Sequence, residues 1–241
     1  LAYSSAITLK LSPLPSKKIM GVCHFPSFYE AMDAAQHIVR LNPVAVELVD
    51  DTMISLAQKI DMFKPTVEAV VNGNPKSLLL VEFAEEQMDE NHRRLKKLHQ
   101  LMGDLGYSWN KTKKVGGVVD VIDDNLQSKV SEMRKSGLNI MMSMKDDAKP
   151  VSFIEDCAVQ LKDLAEYTDG LNKIFDKYNV KGTWYAHASV GCLHVRPVLN
   201  MKIQDDIKKM RNIANETSAL VKKFNGSYSG EHGDGIARSE F

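Results

Sequence analysis

Lys17-Lys18-Ile19-Met20-Gly21-Val22-Cys23-His24-Phe25-Pro26-Ser27-Phe28-Tyr29-Glu30 is the stretch on which the fold turns. Lys17 to Phe25 reads as a strand. Ser27 with Glu30 three residues on forms a capping box, which satisfies free backbone N–H groups at a helix start. Phe28, Ala31, Ala35, Ile38 and Val39 then recur at the helical period. Asn42-Pro43 stops that helix, and Val44 to Val49 is a β-branched strand.

The pattern recurs downstream of this stretch. After a helical stretch, Ser77 to Phe83 is a buried strand. Met88, Leu95, Leu98, Met102 and Leu105 line a helix closed by Gly106, and Gly117 to Val121 is a strand. In the second half, Val151 to Val159 reads as a strand, and Leu161, Leu164, Leu171, Ile174, Phe175 and Tyr178 line a helix. Thr183 to Ala188 and Cys192 to Leu199 are strands around Ser189-Val190-Gly191. Ile203, Ile207, Met210, Ile213, Leu220 and Phe224 line another helix, and Gly226 to Gly230 returns as a strand. The chain is therefore expected to be α+β, built from two copies of a split βαβ unit. Each copy should be an antiparallel sheet with helices packed on one face. Asn110-Lys111-Thr112-Lys113-Lys114 reads as an exposed loop.

The 241 residues suffice for a core without disulfide staples. Lys+Arg and Asp+Glu are 31 each, so no basic excess draws the chain to nucleic acid or anionic lipid. No apolar run approaches the ~20 residues of a membrane span. Cys23, Cys157 and Cys192 are odd in number and widely spaced, which reads as reduced thiols in a cytosolic setting. The chain opens in the alternating strand pattern Ala6 to Leu11, closed by Ser12-Pro13-Leu14-Pro15, with little lead-in. It stops soon after a Gly-rich turn. It is expected to be a piece of a longer polypeptide.

Chemistry concentrates in two segments, Tyr185-Ala186-His187-Ala188-Ser189-Val190-Gly191-Cys192-Leu193-His194 and Gly230-Glu231-His232-Gly233-Asp234-Gly235. A hairpin turning at Val190-Gly191 should set His187 directly opposite His194, with Cβ atoms about 5 Å apart. Two imidazoles so placed suit a divalent ion, and Glu231 offers a third, oxygen ligand; His₂Glu with an open position is a known catalytic zinc arrangement. His232 would point away from Glu231 in a regular strand, but the flanking glycines relax that rule. It then becomes a candidate general base, since imidazole titrates in the right range. Cys192 shares parity with His194 and is a second-choice ligand. Asp234 reads as a turn residue before a fourth ligand. The spacing alone leaves a metal site and a set of packed histidines both open.

These motifs carry a resemblance. His-x-x-x-Gly-x-Leu-His over His187 to His194, followed by Ser-Gly-Glu-His-Gly-Asp-Gly over Ser229 to Gly235, resembles the C-terminal cap domain of FAD-linked oxidases of the vanillyl-alcohol oxidase superfamily. Members include D-lactate dehydrogenase, the glycolate oxidase flavin subunit and D-2-hydroxyglutarate dehydrogenase. Thr8 to Pro15 resembles the exit from the family's flavin domain, and Phe153 to Val159 its central cap strand. Ala237 to Phe241 is similar to the large bacterial form with an iron–sulfur domain downstream. The family cap is a duplicated ferredoxin-like unit. Here Ser189, Val190 and Cys192 replace the motif's usual Gly, Asp and Asn, and Gln160 replaces a proline.

The resemblance implies a layout. Residues 1–16 would be the exit strand from an upstream FAD-binding domain, 17–122 the first ferredoxin-like half, 123–150 a bridge and 151–241 the second half. It also implies roles: His187, His194 and Glu231 as metal ligands, His232 as the base, Arg134 as the substrate-carboxylate contact and Lys149 as a second basic contact. The metal would be zinc, with manganese or iron as alternatives. The reaction implied is oxidation of a D-2-hydroxy acid to the 2-oxo acid. Metal and Arg134 would hold the hydroxyl and carboxylate, His232 would take the hydroxyl proton, and hydride would pass to flavin N5. FAD would sit on the upstream domain, because this stretch has no Gly-rich pyrophosphate loop; the piece alone is expected to be inactive. Expected partners are the small hydroxy acid, the FAD domain of the same chain and an electron acceptor, with neither nucleic acid nor a transmembrane segment. The setting would be cytoplasmic, or peripheral on the inner membrane face through the acceptor. Without the resemblance, a ferredoxin-like ligand-binding module and a His₂Glu hydrolase are the competing readings.

Overall fold

The computed structural model describes residues 3–11, 15–109, 116–233 and 235–241, without the Ala237 side chain. The turn expected at Ser12-Pro13-Leu14, the loop at Asn110 to Lys114 and Asp234 lie outside these residues.

The first half runs β1 (Lys17–Phe25), α1 (Phe28–Ile38), β2 (Ala45–Asp50), α2 (Asp51–Ala57), α3 (Lys64–Val70), β3 (Ser77–Glu85), α4 (Met88–Asp104) and β4 (Gly117–Val121). The expected cap is present: Ser27 Oγ accepts from the Glu30 N–H and donates to the Glu30 carboxylate. The strands lie in the order β4-β1-β3-β2, with every pairing antiparallel. Helices α5 (Asp124–Lys135) and α6 (Gly137–Met142) fill the bridge.

The second half contains β5 (Lys149–Pro150), β6 (Cys157–Ala158), α7 (Leu164–Lys177), β7 (Gly182–His187), β8 (Cys192–Leu199), α8 (Gln204–Lys223) and the short α9 (Gly235–Arg238). Pairing of β2 with β7 fuses the halves into one antiparallel sheet of eight strands. Asp50 reinforces the joint. It caps α2 through the Met53 N–H at 2.8 Å and accepts the Trp184 N–H of β7 at 3.0 Å.

Helices α1, α4, α7 and α8 cover one face, burying Ile19, Phe25, Leu48, Leu79, Phe83, Trp184 and Val195. In the first half the opposite face is covered too, by α2, α3, α5 and α6 over Met20, Val22, Val49, Leu78 and Leu80. β1 and β3 are thus buried on both sides and read as continuous apolar runs rather than alternating ones. No helix of the described residues is long and apolar enough to cross a membrane.

Three strand expectations are corrected. Residues 3–11 form no regular element, and Ile7, Leu9 and Leu11 are exposed, without a partner strand among the described residues. The strand expected from Val151 to Val159 is broken. From Pro150 to Cys157 the chain advances seven residues, while their partners on β8, Val198 and Leu193, are five apart. Two extra residues make a bulge, and Glu155 and Asp156 lie in it. Both are buried acids with partners off the strand path, and Asp156 has φ 78°, which no strand ladder accommodates. The return strand at Gly226 to Gly230 shrinks to one bridge between Ser227 and Ala158. There the backbone turns to meet Asp156, whose carbonyl accepts the Gly230 N–H at 2.6 Å.

Candidate active site

The hairpin of β7 and β8 closes more tightly than the spacing suggests. Ala188–Val190 form a single 3-10 turn, and Gly191 follows in the left-handed region at φ 69°. A Cβ at Gly191 would come within 2.1 Å of the Val159 carbonyl oxygen, so both conformation and space call for glycine. The register is then His187 opposite Cys192 and Tyr185 opposite His194, not His187 opposite His194. A shift of two residues preserves the face, because side chains alternate with period two. His187 and His194 are consequently diagonal neighbours, with ring centroids 5.1 Å apart.

Glu231 and His232 reach this pair from the turn after α8. Glu231 Oε1 lies 3.0 Å from His194 Nε2, 3.4 Å from His187 Nε2 and 3.3 Å from His232 Nε2. Three imidazoles thus converge on one carboxylate oxygen. His194 is buried, while His187, Glu231 and His232 are 30, 43 and 57% exposed, so the cluster opens on the Glu231–His232 side. Gly233 and Gly235, at φ 77° and 57°, supply the conformational freedom read from the sequence.

Each strand histidine is backed by a carboxylate. On β2, Glu47 holds Nδ1 of His187 at 2.9 Å, and this hydrogen bond keeps the His187 pKa above its ordinary value against the opposing effect of burial. Glu155 lies 3.5 Å from His194 Nδ1. Its own carboxylate is gripped by Arg196 through Nε at 2.7 Å and Nη2 at 2.8 Å, by Ser152 at 2.6 Å and by Tyr185 at 3.1 Å. Burial alone would raise the Glu155 pKa; the close approach of His194 and the hydrogen bonds from Arg196 and Ser152 outweigh it and hold the group well below the carboxylate range. Tyr185 also stacks on the His194 ring, with centroids 4.7 Å apart.

Arg134, in the last turn of α5, donates to Glu47 and lies 3.2 Å from His187 Nδ1. Its Nε is buried without a hydrogen-bond partner among the described residues. Lys149 stands apart from the cluster. It lies opposite Leu199, five residues along β8 from His194 or about 16 Å of strand, and its ammonium donates to the Met144 carbonyl. Cys192 is no thiolate. Burial, with Asp156 adding to it, pushes its thiol up to about 12, and Sγ donates to Asp156 Oδ1 at 3.4 Å.

The donor set suits a borderline divalent cation. A ring nitrogen of His187, one of His194 and a Glu231 oxygen lie within 4.8 Å of one another. The Glu47 contact places the His187 proton on Nδ1 and leaves the Nε2 lone pair facing the cluster, the usual arrangement behind a metal-binding imidazole. His187, His194 and Glu231 could therefore hold such an ion, with His232 beside it.

Sequence reasoning did not single out Glu47, Glu155, Asp156, Tyr185, Arg196 or Arg238. Glu47 carried a usable signal, as the lone charge within Val44 to Val49.

Fold and donor set together define an antiparallel α+β domain built around a His–His–carboxylate centre. Residues 14–241 match the family of the FAD linked oxidases, C-terminal domain, and the chain belongs to that family. It is 28% identical over 240 residues to a D-2-hydroxyglutarate dehydrogenase of Haemophilus influenzae, covering 98% of this chain and 23% of that protein. It is 22% identical over 244 residues to a probable mitochondrial D-lactate dehydrogenase of Danio rerio, covering 99% of this chain and 44% of the relative. The chain thus spans about a quarter of the length of the first of these relatives and under half of the second. The 4-ethylphenol oxidase of Gulosibacter chungangensis shares the fold at a TM-score of 0.62 and 9% identity, over 92% of this chain and 47% of that one.

Proposed function

We propose that this chain is the substrate-side domain of a flavin-dependent dehydrogenase that oxidises a D-2-hydroxy acid, of the D-2-hydroxyglutarate or D-lactate class, to the 2-oxo acid. The observation that carries this reading is the convergence of His187, His194 and His232 on Glu231 Oε1, with Arg134 Nη2 3.2 Å from His187 Nδ1. The relatives named as D-2-hydroxyglutarate and D-lactate dehydrogenases support it.

In this reading FAD is held mainly by a domain of the same polypeptide upstream of Leu1. An iron–sulfur cluster belongs to a domain downstream. The ligands His187, His194 and Glu231 hold a divalent metal, zinc first, with manganese or iron as alternatives. When bound, the ion supplies Lewis acidity toward the substrate hydroxyl and the flavin supplies a hydride acceptor.

The chain's own residues do the rest. The Arg134 guanidinium, whose side chain is partly exposed, pairs with the substrate carboxylate through its planar fork. Glu47 fixes the His187 ring. His232, more than half exposed, accepts the hydroxyl proton at Nε2 and can release it to water. Holding hydroxyl and carboxylate at two points orients the C2–H in one direction.

The test is an anaerobic titration of the full-length protein with a panel of D-2-hydroxy acids. Bleaching of a bound flavin by a D-acid, and not by its L-enantiomer, is the expected outcome. Ester or amide hydrolysis without flavin would overturn the reading in favour of a His₂Glu hydrolase. Binding without turnover of either kind would favour a ligand-binding module.

A further inference from the structure

Glu231 and His232 are adjacent in sequence, yet both side chains enter one cluster. In extended backbone, neighbouring side chains point to opposite faces, and so do neighbouring N–H groups. Here the N–H groups of Glu231 and His232 both point at a single carboxylate. Asp156 Oδ1 accepts from Glu231 and Oδ2 from His232, each at 2.9 Å. Two consecutive N–H groups aimed at one anion make a nest, a backbone shape that extended chain cannot adopt. That shape lets side chains 231 and 232 share a side.

Asp156 is built for this attachment. It is fully buried and stands in the left-handed region at φ 78°, an uncommon conformation for a residue with a Cβ. Its main chain is anchored at both ends: its N–H donates to the Leu193 carbonyl on β8 at 2.8 Å, and its carbonyl accepts from Gly230 at 2.6 Å. Its carboxylate also accepts from Ser229 Oγ at 2.7 Å and Cys192 Sγ at 3.4 Å. Arg238 closes the far side, 3.7 Å from Asp156 Oδ2, donating to the Gly233 carbonyl at 2.7 Å and to the Glu155 carbonyl. One residue therefore ties the strand bearing His194 to the turn bearing Glu231 and His232.

We infer that Asp156 is the positioning residue of the centre, presenting Glu231 as a ligand and His232 as a base through the two backbone N–H groups it accepts. The assignment rests on the metal reading given above. A buried carboxylate is costly unless fully hydrogen-bonded, and here the bonds fall on the turn that delivers the chemistry. The Asp156 oxygens accept from N–H, O–H and S–H donors of the residues around them.

The experiment is Asp156→Asn, followed by zinc titration and by backbone amide hydrogen exchange over residues 227–233. Asparagine keeps the size and tolerates φ above zero. It replaces one acceptor with an NH₂ group that opposes an N–H of the turn. The expected result is a zinc affinity lower by about 10- to 100-fold, with faster exchange at Glu231 and His232. Far-UV circular dichroism and exchange in β1 and β3 should match the parent. Parent-like zinc affinity together with parent-like exchange at 231 and 232 would overturn the inference. A parent that binds no zinc would count against the metal reading, and the exchange measurement would still decide the role of Asp156. If the Asn variant does not fold, Asp156→Gly, which relieves the left-handed backbone, carries the same two measurements.

Discussion

Glu47 and His187 are direct cross-strand partners on β2 and β7, and the Glu47 carboxylate holds His187 Nδ1 at 2.9 Å. This pair lies on the seam where the two halves of the sheet join, so the seam is also a wall of the site. Glu47→Gln keeps the shape and removes the charge that fixes the imidazole proton on Nδ1. Zinc affinity should drop by roughly 10- to 100-fold, the usual cost of losing such a backing carboxylate. Isothermal titration of the two proteins with zinc checks this; equal affinities would mean that Glu47 serves the sheet joint alone.

The same carboxylate also engages Arg134, so in the proposed function substrate and Glu47 would compete for one guanidinium. Arg134→Lys keeps the charge and loses the fork. KM for the hydroxy acid should rise by about 10- to 100-fold, matching the ~1.5–3 kcal/mol of a hydrogen bond to a charged group, with a smaller change in kcat. Steady-state kinetics on the full-length protein decides it. A fall in kcat at unchanged KM would move Arg134 from binding the ground state to some later step.

Much of this was legible in the sequence because it was written in periods. β4 and β8 begin and end where the apolar patterns do, and α1, α4 and α7 follow their stripes, whereas Ile203 and Ile207 of the stripe read for α8 are exposed. The histidine pair survived a wrong register because a slip of two residues leaves the face unchanged. What escaped was set by tertiary partners. The strand expected at Val151 to Val159 is apolar at its ends, but Glu155 and Asp156 find Arg196 and Arg238 far along the chain, and that pairing breaks the ladder. Glu47 stands out in the sequence only as the lone charge of its strand, and its role rests on its cross-strand neighbour His187. The exposed alternation at Ile7, Leu9 and Leu11 shows the converse, a strand-like pattern without a described partner.

Stability should carry a pH dependence from His24, remote from the site. This ring is buried, with Nδ1–H donating to the Val22 carbonyl at 2.9 Å and Nε2 accepting the Asn72 N–H at 3.1 Å. Burial lowers its pKa, and protonation would set an N–H against an N–H. The folded pKa lies below the unfolded value, so the contribution is fully present above the unfolded pKa of about 6.5. It is lost as pH falls through the folded pKa, with a slope of at most about 1.4 kcal/mol per pH unit. Urea unfolding of the parent and His24→Gln at several pH values between about 4.5 and 7.5 isolates the term. The parent should lose stability on acidification faster than the variant, and parallel profiles would refute the assignment.

Gly191→Ala should be strongly destabilising for a surface turn. A left-handed φ costs a residue with a Cβ about 1–3 kcal/mol, and the overlap with the Val159 carbonyl adds to that. Thermal unfolding measures the loss. Zinc binding should weaken with it, because the turn fixes the diagonal of His187 and His194. A Tm equal to the parent's would show that the hairpin can open to a wider turn.

Glu231 and His232 should separate by function although both approach the same point. Glu231 Oε1 is the atom on which three imidazoles converge, whereas His232 is the most exposed of the three. Glu231→Gln substitutes a neutral amide, a poorer ligand for a borderline cation, and should remove metal and turnover together. His232→Ala leaves His187, His194 and Glu231 in place and should keep the metal. It should lower kcat by the roughly 10²- to 10⁴-fold typical of a lost general base. Metal content by mass spectrometry, measured beside kcat in the full-length protein, distinguishes the two. Equal metal loss in both variants would make His232 a fourth ligand, leave no position open to the substrate hydroxyl and assign the base elsewhere.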